Sequence, residues 1–181
     1  MAADTTTSRV PDARFLVAHP AHFLALGFGS GLIRWAPGTW GTLVSLGLYH
    51  LLALALPPVV IAFLAIPLFF AGVWICDVTS RNLGVQDHGA IVWDEIVAFL
   101  LVLFFTPRTL PWQCVAFVLF RFFDAVKPGP IRYIESRFRG GFGVMVDDLA
   151  AAFFTLLSLT VIMLLLRALG GSIGFAALSA G

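Results

Sequence analysis

RFFDAVKPGPIRYIESRFRGGFGVMVDD, residues 121–148, decides how the rest of the chain is read. It opens inside one apolar run and closes at the edge of another. Between them lie a proline-broken basic segment, a Gly-Gly-Phe-Gly turn and the pair Asp147-Asp148. Ionisable groups beside membrane-length apolar runs are costly, so they mark a functional site by default.

Outward from this stretch the composition is that of a membrane protein. The 181 residues are 60% hydrophobic and 12% charged, with a mean hydropathy of +0.97. Soluble domains are nearer ~50% apolar and ~25% charged. A net charge of +1 gives no bulk field for nucleic acid, so no such partner is expected. Cys76 ends one apolar run and Cys114 begins another. Most of a ~30 Å hydrocarbon core would separate them, too far for a disulfide.

Taken in order, residues 1–20 read as a polar, Thr-rich cytoplasmic tail without a signal-peptide core. Residues 19–26 suit a short interfacial helix. Residues 27–42 hold five glycines and one proline in sixteen positions, which argues against regular helix through most of them. Their backbone N–H groups can cradle an anion, but no Walker lysine follows. Apolar runs occupy residues 40–56, 59–76, 90–105, 112–126 and 149–166, and Pro57-Pro58 suits a tight turn between the first two. Residues 77–89 are polar and expected to form a loop, and residues 170–181 a loose tail. The fold expected is an all-α polytopic bundle of four to five transmembrane spans. Residues 21–169 form its single membrane domain.

With five spans and a cytoplasmic N-terminus, nine cations fall on the inner side: Arg9, Arg14, Arg34, Arg81, Arg121, Lys127, Arg132, Arg137 and Arg139. Only Arg108 and Arg167 fall outside, as the positive-inside rule requires. The same topology brings Asp87, Asp94, Glu95, Asp124, Asp147 and Asp148 to the inner face. That convergence was no input to the topology. So many carboxylates cannot stay ionised and close together without a cation. An all-oxygen set with one nearby histidine, His88, suits a hard ion such as Mg²⁺, which takes one or two carboxylates plus phosphate. Some of the six must then serve otherwise, or two metals bind.

Each piece has a plainer reading. Asp94 and Glu95 suit any helix start, Asp147 and Asp148 could cap one, and Arg121 and Asp124 could simply pair at i, i+3. Arg132, Arg137 and Arg139 could meet anionic lipid. Jointly, cations and glycine-rich turns beside carboxylates at membrane depth favour phosphoryl transfer on a lipid, by metal-assisted attack of water.

These residues closely resemble the phosphatidylglycerophosphatase A family of bacterial membrane lipid phosphatases. The segments that carry the likeness are GFGSGLIRWAPGTWGTL from Gly27, DHGAIVWDE from Asp87, RFFDAVKPGPIRYIE from Arg121 and GGFGVMVDD from Gly140. The resemblance implies Mg²⁺-dependent removal of the terminal phosphate of phosphatidylglycerophosphate at the cytoplasmic face of the bacterial inner membrane. On that basis Asp94, Glu95, Asp147 and Asp148 are expected to hold Mg²⁺. Asp87, His88, Asp124 and Lys127 are the expected catalytic groups, with Asp87 or His88 handling the attacking water. Arg121, Lys127, Arg132, Arg137, Arg139, Gly140, Gly141 and Thr39 form the expected phosphate-binding set. Two positions depart from the family pattern: Arg34-Trp35 stands where neutral residues are usual, and Ala98 where glycine is common. A polyprenyl phosphate is the alternative substrate, and a small cation transporter the alternative class. A homodimer is left open.

Overall fold

The computed structural model describes residues 10–179, with side chains through Leu169 other than Glu135. Among these residues there are helices and no strands. The helices are α1 (Ala13–Ala18), α2 (Pro20–Ala25), a 3-10 turn (Gly27–Leu32), α3 (Pro37–Ala53), α4 (Pro58–Leu83), α5 (Trp93–Phe105), α6 (Leu110–Val126), α7 (Gly129–Arg137) and α8 (Gly140–Ser179). Residues 1–9 of the expected tail lie outside the described residues.

Helix α5 is the axis. Beyond Asp94 and Glu95 in its first turn it is apolar all round, and Trp93 to Leu100, Val102 and Leu103 are buried, as a helix without a polar face must be. Helices α3, α4 and α8 enclose it, and α6 packs chiefly on α8. Phe99 of α5 meets the rings of Phe117 and Phe120 of α6. The Ser45 hydroxyl of α3 donates to the Ile96 carbonyl across 2.7 Å. Outside, Phe63, Phe70 and Phe153 are 66%, 66% and 63% exposed. Two helices, Pro58–Leu83 and Gly140–Leu169, are long and apolar enough to cross a membrane.

The expected turn at Pro57-Pro58 is present: Pro57 caps α4 and Pro58 begins it. Other boundaries differ from the sequence reading. Helix α3 starts within the glycine-rich stretch, because Pro37 pre-sets the first helical turn. Helix α4 runs on to Leu83 through residues expected to form a loop. Asp77 and Arg81 pair there at i, i+4, and Gly84 ends the helix with φ +75°. Helix α8 begins at Gly140, so the expected Gly-Gly-Phe-Gly turn is helical. It also continues to Ser179, where a loose tail was expected; that segment has no proline to stop it. Helix α7 fills part of the basic segment, anchored by buried Ile131.

The N-terminal helices are not a free tail. Asp12 caps α1 by accepting from the Phe15 N–H at 2.8 Å. Buried His22 of α2 sits between the Phe15 carbonyl at 2.9 Å and Asn82 of α4 at 2.8 Å. The Val92 N–H donates to the Ala25 carbonyl at 2.8 Å, tying α2 to the start of α5.

Candidate active site

One end of the bundle gathers the starts of α3, α5 and α8 and the ends of α4 and α6. Asp94 and Glu95 occupy the first turn of α5, where the helix dipole favours carboxylates. Asp148 comes from the third turn of α8. One carboxylate oxygen from each of Asp94, Glu95 and Asp148 lies within 4.8 Å of the other two, and all three residues are buried.

Buried carboxylates this close repel one another, and a hard cation between them would relieve the repulsion. Asp94 Oδ1, Glu95 Oε2 and Asp148 Oδ2 are buried and have no hydrogen-bond partner in the structure. An all-oxygen donor set with unsatisfied buried atoms fits Mg²⁺.

Two cations border the set. Arg121 lies 2.5 Å from Asp124 Oδ2 and 3.6 Å from Glu95 Oε1. It therefore ties the end of α6 to the start of α5, in addition to the i, i+3 pairing foreseen. Asp124 in turn lies beside Asp148. Lys127 is ion-paired with Asp147. Lys127 ends α6 in the left-handed region, φ +45°, a conformation costing a non-glycine residue about 1–2 kcal/mol.

Asp147, expected among the metal ligands, lies outside the 4.8 Å set; its Oδ2 pairs with Lys127 and its Oδ1 is buried without a hydrogen-bond partner, since consecutive residues on a helix point ~100° apart. Asp148 faces the carboxylate set while Asp147 faces Lys127. Asp87 stands in the exposed α4–α5 loop, close enough for its charge to act on Asp147. His88, half-buried beside it, accepts the Ala90 N–H at Nδ1 across 3.1 Å.

The remaining phosphate-binding candidates separate. Arg132 and Arg137 are exposed on α7, and Arg139 is exposed at its joint with α8. Thr39 is half-buried in the first turn of α3, its N–H bonded to the Ala36 carbonyl at 2.9 Å. Gly140, at φ +68°, begins α8 beside Asp77. At Gly141 a Cβ would stand 1.9 Å from the Val73 carbonyl oxygen. Its missing side chain lets α8 cross α4, so its place in the structure is one of packing.

Two residues that the sequence reading did not single out belong here. A Cβ on Gly38 would stand 2.2 Å from Glu95 Oε1 and 2.8 Å from both Arg121 terminal nitrogens. Proline before it signals a helix start, and that signal could have brought Gly38 to attention. Asp77 sits at the head of α8, where a carboxylate suits the dipole. Its i, i+4 spacing to Arg81 was visible in the sequence.

The phosphatidylglycerophosphatase A family pattern matches residues 23–163. Phosphatidylglycerophosphatase A of Haemophilus influenzae is 45% identical over 155 residues, covering 83% of this chain and 93% of that protein. The Escherichia coli protein of the same name is 40% identical over 144 residues, covering 78% and 83%. No solved structure matches the chain at a significant level.

Proposed function

The chain belongs to the phosphatidylglycerophosphatase A family, and from that premise we infer that it hydrolyses the terminal phosphate monoester of phosphatidylglycerophosphate. The products are phosphatidylglycerol and phosphate, and the reaction depends on Mg²⁺. The observation that carries this reading is the buried set of Asp94, Glu95 and Asp148 with oxygens within 4.8 Å, bordered by Arg121.

Asp94, Glu95 and Asp148 would hold the ion, which supplies charge stabilisation to phosphate oxygens. Arg121 and Lys127 meet the remaining phosphate charge, Arg through a planar fork and Lys as a point charge. Their carboxylate partners, Asp124 and Asp147, hold both cations in place before substrate arrives. Water attacks phosphorus, the P–O bond to glycerol breaks, the water proton passes to Asp87 or His88, and a proton returned from that group completes the glycerol hydroxyl of phosphatidylglycerol. The Ala90 N–H at His88 Nδ1 places the neutral ring's proton on Nε2. In that state Nε2 is a donor, so Asp87 is the better acceptor for the water proton.

Four or five spans in the bacterial inner membrane, with the site at the cytoplasmic face, are part of the same proposal. The apolar outer face supports it, with Phe63, Phe70, Trp74 and Phe153 exposed. The gathering of helix ends with most of the cations supports the inward orientation.

The test is phosphate release from phosphatidylglycerophosphate by the purified protein in detergent, with Mg²⁺ and with EDTA. Release should require Mg²⁺, and Asp148→Asn should lower it on the order of 100-fold. Without substrate, Mg²⁺ should raise the unfolding temperature of the native protein and not of Asp148→Asn. A variant that kept both turnover and the Mg²⁺ response would refute the ligand assignment.

A further inference from the structure

A cavity of about 510 Å³ opens between the loop before α3 and the loop before α5. Its wall includes Pro37, whose neighbour Gly38 touches Glu95 and Arg121, and His88, whose neighbour is Asp87. Arg34 is the cation of that wall, and Ile33, Gly89 and Ala90 help to complete it. Among the described residues no carboxylate is ion-paired with Arg34.

The loop that carries Arg34 has the composition of a segment at headgroup level. Ile33 and Trp35 flank it, 39% and 78% exposed. Apolar and tryptophan side chains around an arginine settle where hydrocarbon gives way to polar headgroups. Ala36, in the left-handed region at φ +49°, then turns the chain from this loop into α3. The loop therefore joins a lipid-facing surface to the residue that abuts the carboxylates.

We propose that this cavity is a second anion subsite, in which Arg34 holds the internal phosphodiester of the lipid while the terminal monoester lies at Asp94, Glu95 and Asp148. The proposal rests on the phosphatidylglycerophosphate reading and names the residue that makes the site specific. The substrate carries two phosphates a glycerol apart; Arg34 and His88 are the polar side chains of an otherwise apolar wall, and Pro37 in that wall precedes Gly38, where a Cβ would meet Glu95. The diester offers two anionic oxygens in one plane, which a guanidinium grips with two parallel hydrogen bonds. Arg132, Arg137 and Arg139, members of the expected phosphate-binding set, do not line the cavity.

The experiment compares two lipid monoesters in identical mixed micelles with Mg²⁺. One is phosphatidylglycerophosphate; the other is phosphatidate, which lacks the internal diester. Arg34→Gln should lower kcat/KM for the first about tenfold or more, leave the second within about twofold, and be partly rescued by Arg34→Lys. Inhibition supplies a second reading. The deacylated headgroup with both phosphates should inhibit Arg34→Gln less well than the native protein, and glycerol phosphate equally well. Equal losses on both lipids would make Arg34 a membrane anchor and overturn the proposal. So would no loss on either, or unchanged inhibition by the deacylated headgroup. A native protein that releases no phosphate from phosphatidylglycerophosphate would defeat the activity itself, and the subsite with it.

Discussion

At Gly38 a hydrogen stands where any other residue has a carbon, and the site depends on it. The atoms that a Cβ would strike are the ends of Glu95 and Arg121, at 2.2 and 2.8 Å. Both are flexible, so the fold can absorb Gly38→Ala while the site cannot. Displacing a reacting group by ~1 Å costs about 100-fold in rate. Turnover of Gly38→Ala should fall by about that factor, with Tm moving no more than about 4 °C. Parallel activity and thermal-unfolding measurements would show it; equal loss of both would make Gly38 a packing residue only. Asp94, Glu95 and Asp148 could be read from sequence because a carboxylate beside an apolar run demands a reason. Gly38 could not, because a glycine looks the same whether a ligand, a backbone or a side chain comes close. Asp147 and Asp148 looked equivalent for a related reason: adjacency in sequence hides a ~100° difference in direction.

Between elements, the crossing of α4 and α8 sets the depth at which Asp148 meets α5. Gly141 makes that crossing, with Val73 backbone in the way of any side chain. Backbone cannot rotate aside as a side-chain end can. Gly141→Ala should therefore destabilise the protein by about 1–3 kcal/mol. Gly47, exposed within α3, has nothing within 4 Å of a built Cβ. Gly47→Ala should instead be neutral or stabilise by about 0.5–1 kcal/mol. Unfolding of the two variants in the same detergent decides the pair, and similar values would contradict this account of the crossing. The helices themselves were legible from apolar runs and prolines. Their ends were not: α8 begins at Gly140, which stands at φ +68°, and Gly141 packs where any side chain would strike the Val73 carbonyl of α4, and propensity yields to such contacts.

For the whole molecule, the placement of charge follows from which helix ends meet. The sequence count assigns nine cations to the expected inner face and two to the expected outer face. If α3, α4, α5, α6 and α8 all cross, Arg108 in the α5–α6 connection and Arg137 at the end of α7 lie on opposite sides. Cysteines at those positions, in a chain lacking Cys76 and Cys114, should differ in intact cells. A membrane-impermeant maleimide should label Arg108→Cys directly and Arg137→Cys only after permeabilisation; the reverse would contradict the inward orientation, and equal labelling would contradict a crossing by α6. Helix α5 has thirteen residues, about 20 Å at ~1.5 Å each. It is too short to span alone a ~30 Å hydrocarbon layer, and it is sheathed by its neighbours. Sequence hydropathy could not distinguish a sheathed helix from a lipid-facing one, because both are apolar all round. The division of the carboxylates between α5 and α8 also has a consequence for synthesis. Chains emerge N-terminus first, so Asp94 and Glu95 are made well before Asp148. Arg121 arrives between them and can neutralise Glu95 in the interval. A shortened product that stops before α8 lacks Asp148, so on the proposed reading the growing chain stays inert until α8 is in place.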